Sequence, residues 1–326
     1  MTTKLSILDQ SPVIAGLGAR RAIEETIALA KRADELGYHR YWLAEHHAIA
    51  ALADPCPEIL LARLGAETSR IRVGTGGVLL PYYSAFRTAE TFRMLEALYP
   101  GRIDLGIGRA PGGDARTAQA VGGGRFPDAS DFPQQVSHLK DLLQGTARPV
   151  RLQPEVGTAP EIWLLGSSDY SGALAAQLGL SFAFAHFINP RGGEVVTRLY
   201  KENFTQNVPG DKPQAIVCTF AIVAETDEEA ERLAAPIDLR RLHMALNIDS
   251  PMPTYEEAAR HRYSAEERQY VMSQRARAVI GGPQKIKKEL AEMVERYAAD
   301  ELMVLTITGD YDSRRRSYEL LIDAFQ

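Results

Sequence analysis

The most constraining feature of the sequence is a rhythm. Short apolar runs alternate with longer amphipathic ones, and the first four runs, Leu5–Asp9, Arg40–Ala44, Ile71–Leu80 and Arg102–Gly108, start about thirty residues apart, the length of one strand–helix unit. Between them, Ala22–Leu36, Pro55–Glu67 and Ala85–Leu98 read as helices; in the last, Phe92, Leu95 and Leu98 recur at helical spacing. Strands that alternate with helices in this way pair in parallel and carry their helices outside. The pattern continues less evenly through strands Ile162–Leu165, Ser181–Ala185, Ala215–Val223 and Glu301–Ile307. Their helices fall at Tyr170–Leu178, Gly193–Gln206, Asp227–Arg241, Pro283–Tyr297 and Ser313–Phe325. Eight strands favour a closed (β/α)₈ TIM barrel over an open doubly wound sheet, which usually has fewer strands and carries a dinucleotide fingerprint. The 326 residues are then expected to form a single barrel domain, 1–326.

Two segments break the rhythm. Residues 109–160, after the fourth strand, hold several glycines before a helix near Pro133–Leu143. Residues 243–282, between the seventh and eighth strands, hold Pro251 and Pro253 and then polar, helix-like sequence. Long excursions in a compact barrel are either functional loops and lids or tolerated surface insertions; 243–282 is expected to be a lid or insertion segment. A composition of 45% apolar and 24% charged residues suits a soluble protein with a large core, and a net charge of −5 argues against a nucleic-acid-binding surface. The N-terminus lacks the pattern of a secretory leader and no run is long enough for a bilayer, so no membrane association and a cytoplasmic location are expected. Cys56 and Cys218 have no metal or redox spacing and read as buried, reduced thiols.

A barrel of this kind places its chemistry at the C-terminal ends of its strands. After the second strand come Ala44, Glu45, His46 and His47, where an imidazole can orient or deprotonate a ligand near neutral pH. Adjacent histidines on extended backbone point to opposite sides and no further ligand stands nearby, so no metal site is expected; a structural hydrogen-bonding role stays open. The third strand carries Gly74, Gly76 and Gly77, which suit either close approach to a flat ligand or a bulge at a crowded corner. The fourth runs into Gly108, Arg109 and a Gly-rich stretch through Gly113 that is no GxGxxG fingerprint. Arg109 there suits a phosphate or carboxylate, or else a surface ion pair with an acid such as Asp114. The fifth ends in Ser167, Ser168 and, just inside a helix, Ser171, a setting that favours an anion or supplies an ordinary N-cap. With Arg109 on the adjacent strand, a shared phosphate site is the better explanation. His186, after the sixth strand, reads equally as a mouth residue or as a buried histidine bonded to backbone.

These strings together resemble the bacterial luciferase-like flavin-dependent monooxygenase family, over nearly the whole chain. The resemblance rests on Tyr38–His47 (YHRYWLAEHH), Val73–Pro81 (VGTGGVLLP), Tyr99–Pro111 (YPGRIDLGIGRAP) and Trp163–Ser168 (WLLGSS). It implies a (β/α)₈ barrel that uses reduced FMN and O₂, supplied through a separate NAD(P)H:flavin reductase, to oxidise a small apolar or carbonyl substrate, and a homodimeric assembly. Position by position it implies that His46 is catalytic, that Gly76 and Gly77 are joined by a non-proline cis peptide beneath the flavin ring, and that Arg109, Ser167, Ser168 and Ser171 bind the FMN phosphate. Ala44 would flank the ring, with Asp9 near it. Gly108 departs from the reactive cysteine of luciferase, which puts light emission in doubt. A deazaflavin-dependent dehydrogenase, a non-catalytic flavin-binding protein and a metal hydrolase on a similar barrel are the alternatives.

Overall fold

Alternation along the first strands already divides the molecule into two apolar layers. In β1 (Lys4–Asp9), Leu5 and Ile7 face the layer between sheet and helices, whereas Leu8 faces the barrel interior. In β2 (Arg40–Leu43), Tyr41 and Leu43 face the outer layer and Trp42 the inner one. The computed structural model describes residues 3–109, 114–124, 126, 128–146 and 151–326. The further strands are β3 (Arg72–Thr75), β4 (Val78–Leu79), β5 (Ile103–Gly108), β6 (Glu161–Gly166), β7 (Ser181–Ala185), β8 (Ala215–Val223), β9 (Ala278–Gly281) and β10 (Glu301–Leu305). All pairings between them are parallel. The order β10-β1-β2-β3-β5-β6-β7-β8 closes through a β10–β8 pairing into the expected eight-stave barrel, with β4 continuing the stave of β3 beside β5.

The helices lie between the strands: α1 (Gly18–Leu36), α2 (Pro57–Glu67), α3 (Ala85–Leu98), α4 (Ala115–Val121), α5 (Phe132–Gln144), α6 (Asp169–Leu178), α7 (Gly193–Glu202), α8 (Asp227–Ala245), α9 (Tyr255–Arg260), α10 (Ala265–Gln274), α11 (Pro283–Arg296) and α12 (Tyr311–Phe325). Among the described residues no helix is long and apolar enough to cross a membrane.

Three expectations change. The third strand is not continuous: it is interrupted at Gly76–Gly77, whose peptide bond is cis as the family resemblance implied. The 243–282 segment contains, besides α9 and α10, the strand β9, whose four residues are too short to register as a period. Pairing of β8 with β10 ends at Phe220, and with β7 at Cys218, so Phe220–Val223 has ladder positions to spare, and β9 takes them. Cys218 is buried as expected, but Cys56 is exposed beside the N-terminus of α2.

The glycines at the break between β3 and β4 and in β5 sit where the barrel is crowded. A Cβ on Gly106 would lie 2.0 Å from the Thr75 carbonyl oxygen, one on Gly77 2.6 Å from that of Gly106, and one on Gly76 2.6 Å from Leu8 Cδ1. Protein atoms already fill the positions these Cβ atoms would take, so crowding within the barrel is itself a reason for glycine there.

The N-terminal end of the barrel is sealed by charge. Arg40 opens β2, with its guanidinium 2.9 Å from Asp104, 3.0 Å from Glu161 and 3.0 Å from Glu301, acids that stand at or near the starts of β5, β6 and β10. Arg72 shares Asp104 and Glu161, and Trp42 donates its indole N–H to Asp104 at 2.9 Å. Four carboxylate contacts on buried Arg40 and stacking over Trp163 at 4.6 Å leave its charge fully compensated.

Candidate active site at the barrel mouth

The segment after β2 separates its two histidines by function. Glu45 is buried, and its carboxylate accepts hydrogen bonds from the Leu79 N–H at 2.9 Å and the Tyr83 hydroxyl at 2.5 Å, and pairs with His47 Nε2 at 2.7 Å. Glu45 and His47 thus tie the loop after β2 to the β4 segment. His46, pointing the other way, is left with a buried Nδ1 that has no hydrogen-bond partner. Burial holds its imidazole down at about 4, with the neighbouring His47 adding to the effect and the Ala44 backbone opposing it. The ring is therefore neutral at physiological pH.

His46 lines a cavity of about 320 Å³ at the C-terminal end of the barrel. Its walls come from Gln10, Phe187 and Ile307, which follow β1, β7 and β10, from Phe220 within β8, and from α8 and the 243–282 segment, which contribute Arg241, Met252, Tyr270 and Arg277. A small, mostly apolar chamber with a few polar groups is what a substrate pocket requires. Beside His46 stands Asp54, which the sequence did not single out. Its carbonyl accepts from the His46 N–H at 3.2 Å, its Oδ1 from the Cys56 N–H at 3.1 Å, and its buried Oδ2 has no partner. Burial pushes this carboxyl up to about 7, against the Cys56 bond and with the charges of Asp9, Glu58 and Glu45 adding.

A second feature sits at the ends of β5 and β6. The Arg109 guanidinium stacks on the Tyr170 ring at 4.4 Å, above the first turn of α6. Ser168 occupies the N-cap position of α6 but makes no side-chain capping bond, so the ordinary-cap reading does not hold. The Ser167 carbonyl accepts from Asn189 Nδ2 at 3.0 Å, and Ser171 is buried against Gly166. The structure thus brings Arg109, Ser167, Ser168 and Ser171 to one corner of the mouth, with a cation and hydroxyls at a helix N-terminus. Arg109 forms no ion pair with Asp114, which instead caps α4 through the Thr117 N–H at 2.7 Å. The glycines at 112 and 113 lie outside the described residues.

The other expected site residues are placed differently. The Asp9 side chain turns outward, toward α1 and α12. It accepts from the Ser11 N–H at 2.7 Å, from Arg314 at 2.6 Å, from Thr26 at 2.9 Å and from the Tyr41 hydroxyl. Burial raises its carboxyl, but Arg314 and Tyr41 overcome that and hold it below its ordinary range. Asp9, Ala44, Gly76 and Gly77 do not line the cavity; Gln10, next to Asp9, does. His186 is buried, and its ring nitrogen meets the Tyr297 hydroxyl at 2.8 Å. Among the described residues no three His, Cys, Asp or Glu side chains come together as a metal site.

Sequence reasoning missed Asp54 and the α8 arginines. The helix-like sequence expected within 243–282 forms α9 and α10, and α10 carries part of the cavity wall through Tyr270 and Gln274. Thr254 with Glu257, and Ser264 with Glu267, are the Ser/Thr-x-x-Glu capping pairs that open α9 and α10.

Comparison with known proteins agrees with this geometry. A family model described as luciferase-like monooxygenase matches residues 3–300. The YwcH protein of Bacillus subtilis (strain 168), described as uncharacterised, is 44% identical over 98% of this chain and 98% of its own. An N-acetyl-S-alkylcysteine monooxygenase of the same organism is 34% identical over 98% of both chains. The crystal structure of apo-MsnO8 superposes with a TM-score of 0.91 at 37% identity, covering 99% of this chain and 98% of that one.

Proposed function

The chain belongs to the luciferase-like monooxygenase family, and from that premise we propose that it is an FMN-dependent monooxygenase that takes reduced flavin from a separate NAD(P)H:flavin reductase and oxidises a small substrate with O₂. The observation that carries the reading is the corner where Arg109, stacked on Tyr170, meets the uncapped N-terminus of α6. That donor set fits a phosphate monoester: a fixed guanidinium for charge, the Ser167, Ser168 and Ser171 hydroxyls for its oxygens, and the helix dipole behind them. Reduced FMN, when bound, supplies the electrons that activate oxygen.

The chain's own residues have narrower tasks. Arg109 and the serines anchor the phosphate. Gly76 and Gly77, with Ala44, offer a wall of backbone and small side chains for the ring system. His46, neutral and with Nδ1 unpaired, holds or hands over one hydrogen bond beside the substrate, and Asp54, poised near pH 7, is a proton reservoir within the same loop. The apolar cavity wall keeps water from the reacting atoms. The relative named for N-acetyl-S-alkylcysteine supports a small sulfur- or carbonyl-bearing substrate.

Flavin titration tests the reading. Oxidised FMN is expected to bind saturably, and Arg109→Ala to weaken FMN by about tenfold or more while leaving riboflavin, which has no phosphate, unaffected. Adding the reduced flavin and candidate substrates should then produce substrate-dependent oxygen uptake. Saturable binding of a deazaflavin with none of FMN would sink the proposal in favour of a deazaflavin-dependent dehydrogenase. FMN binding without substrate-dependent uptake across a broad screen would point to a flavin carrier.

A further inference from the structure

The cavity beside His46 is cationic, in a chain whose net charge is −5. Arg240, Arg241 and Arg277 all line it, and among the described residues no carboxylate does. The three are not equivalent. Buried Arg240 is engaged by the Ile248 carbonyl at 3.4 Å and by Asp249 at 3.7 Å. Arg241 stacks on the Phe220 ring at 4.9 Å, and its Nη1 is buried without a hydrogen-bond partner. Asp238, the acid whose charge acts on Arg241, is instead held by Arg275 at 2.5 Å. Arg277 has no ion pair or hydrogen bond among the described residues.

A guanidinium nitrogen buried beside a second cation, with no acid hydrogen-bonded to either, is unfavourable unless something else completes the set. Burial is the main cause that lowers Arg241 to about 10, with Arg275 and Arg277 adding to it against Asp238. Stacking on Phe220 fixes the plane of Arg241 while leaving an N–H edge open, a preorganised fork for a planar anion. The rest of the chamber is apolar: Phe187, Ile237, Met252 and Ile307.

We propose that this cavity selects organic acids, with Arg241 and Arg277 gripping a carboxylate head group and the apolar wall holding the body of the molecule next to His46. The inference rests on the reading of the barrel mouth as a monooxygenase site and names the class of its substrate. Tyr270 and Gln274, on α10, stand on the same wall as further donors, so the 243–282 segment takes part in recognition.

Isothermal titration of the full chain, alone and saturated with oxidised FMN, tests this with octanoate, 4-phenylbutanoate and the primary amide of each. Each acid should bind about tenfold or more tighter than its isosteric amide. Arg241→Gln and Arg277→Gln should each bring that ratio close to one, with FMN affinity and the thermal midpoint preserved. Equal affinity for acid and amide in the unaltered protein, binding of neither, or a preference unchanged in both variants overturns the proposal. Loss of FMN affinity in these variants with the acid preference intact would hand the arginines to the flavin and overturn it as well. Failure of the unaltered protein to bind FMN while it still prefers acids would instead strike the flavin reading and leave the acid site standing.

Discussion

The two ends of the barrel are both rich in buried charge, yet they treat it in opposite ways. At the N-terminal end, Arg40 meets Asp104, Glu161 and Glu301, Arg72 doubles two of those contacts, and Trp42 adds an N–H. At the mouth, His46 Nδ1, Asp54 Oδ2 and Arg241 Nη1 are buried with no partner. Single unpartnered atoms occur elsewhere, Trp163 Nε1 among them, but at the mouth a base and a cation of this kind line one chamber, with an unpartnered acid in the loop that carries the base. Such atoms cost stability, and native folds keep few of them. The comparison teaches that burial alone does not mark a site. What marks it is burial that the protein itself leaves unanswered.

The sharpest way to break this comparison is Arg40→Met. It would strand Glu301 as an uncompensated buried charge and leave Asp104 to Arg72 and Trp42 alone, and chemical denaturation should show a loss of about 3–5 kcal/mol. A loss below about 1 kcal/mol would mean that the closed end is not held by its ion pairs.

At the mouth, His46→Asn should act through pH. The folded protein holds His46 at about 4 against an ordinary value of 6.5, so between those values the unfolded chain binds the extra proton and the native state loses stability as pH falls. Replacing His46 should remove a penalty on the order of 3 kcal/mol at pH 4, seen as a flatter profile of unfolding free energy below pH 6.5. His39, lowered to about 4 by burial first and then by Arg40, keeps its own share of the acid loss. In the same variant kcat should fall about a hundredfold with FMN affinity retained.

Gly106→Ala probes the wall between the two ends. Its Cβ would meet the Thr75 carbonyl oxygen at 2.0 Å, so β3 and β5 must part, at about 1–3 kcal/mol by thermal or denaturant unfolding. The smallest effect is expected from Arg241→Met. Removing a cation that no acid hydrogen-bonds should leave the unfolding free energy within about 0.5 kcal/mol of the unaltered protein, or raise it. A loss as large as that of Arg40→Met would erase the distinction between the ends.

Much of the frame was legible in order along the chain. Helix Ala85–Leu98 falls on the residues its apolar spacing marks, and the strands at Ser181–Ala185 and Ala215–Val223 fall where their apolar runs do. Arg109 with Ser167 and Ser168 was legible because each follows a strand, and in a barrel strand ends converge. The strand β9 and the outward turn of Asp9 were not, since each depends on what a neighbouring strand or helix offers, and the cis bond at Gly76–Gly77 came only through the family resemblance.

By itself, then, the sequence determined the eight-stave barrel and the end of it where the candidate site lies, because periods of two and of three to four residues are local and survive being read one residue at a time. Only the tertiary structure decided which polar groups are answered. It paired Glu45 with His47 and so released His46, gave Asp9 to Arg314, and left Arg241 and Arg277 facing an apolar chamber. The reason is physical: a charge is satisfied or stranded by partners tens or hundreds of residues away, and no local pattern records which.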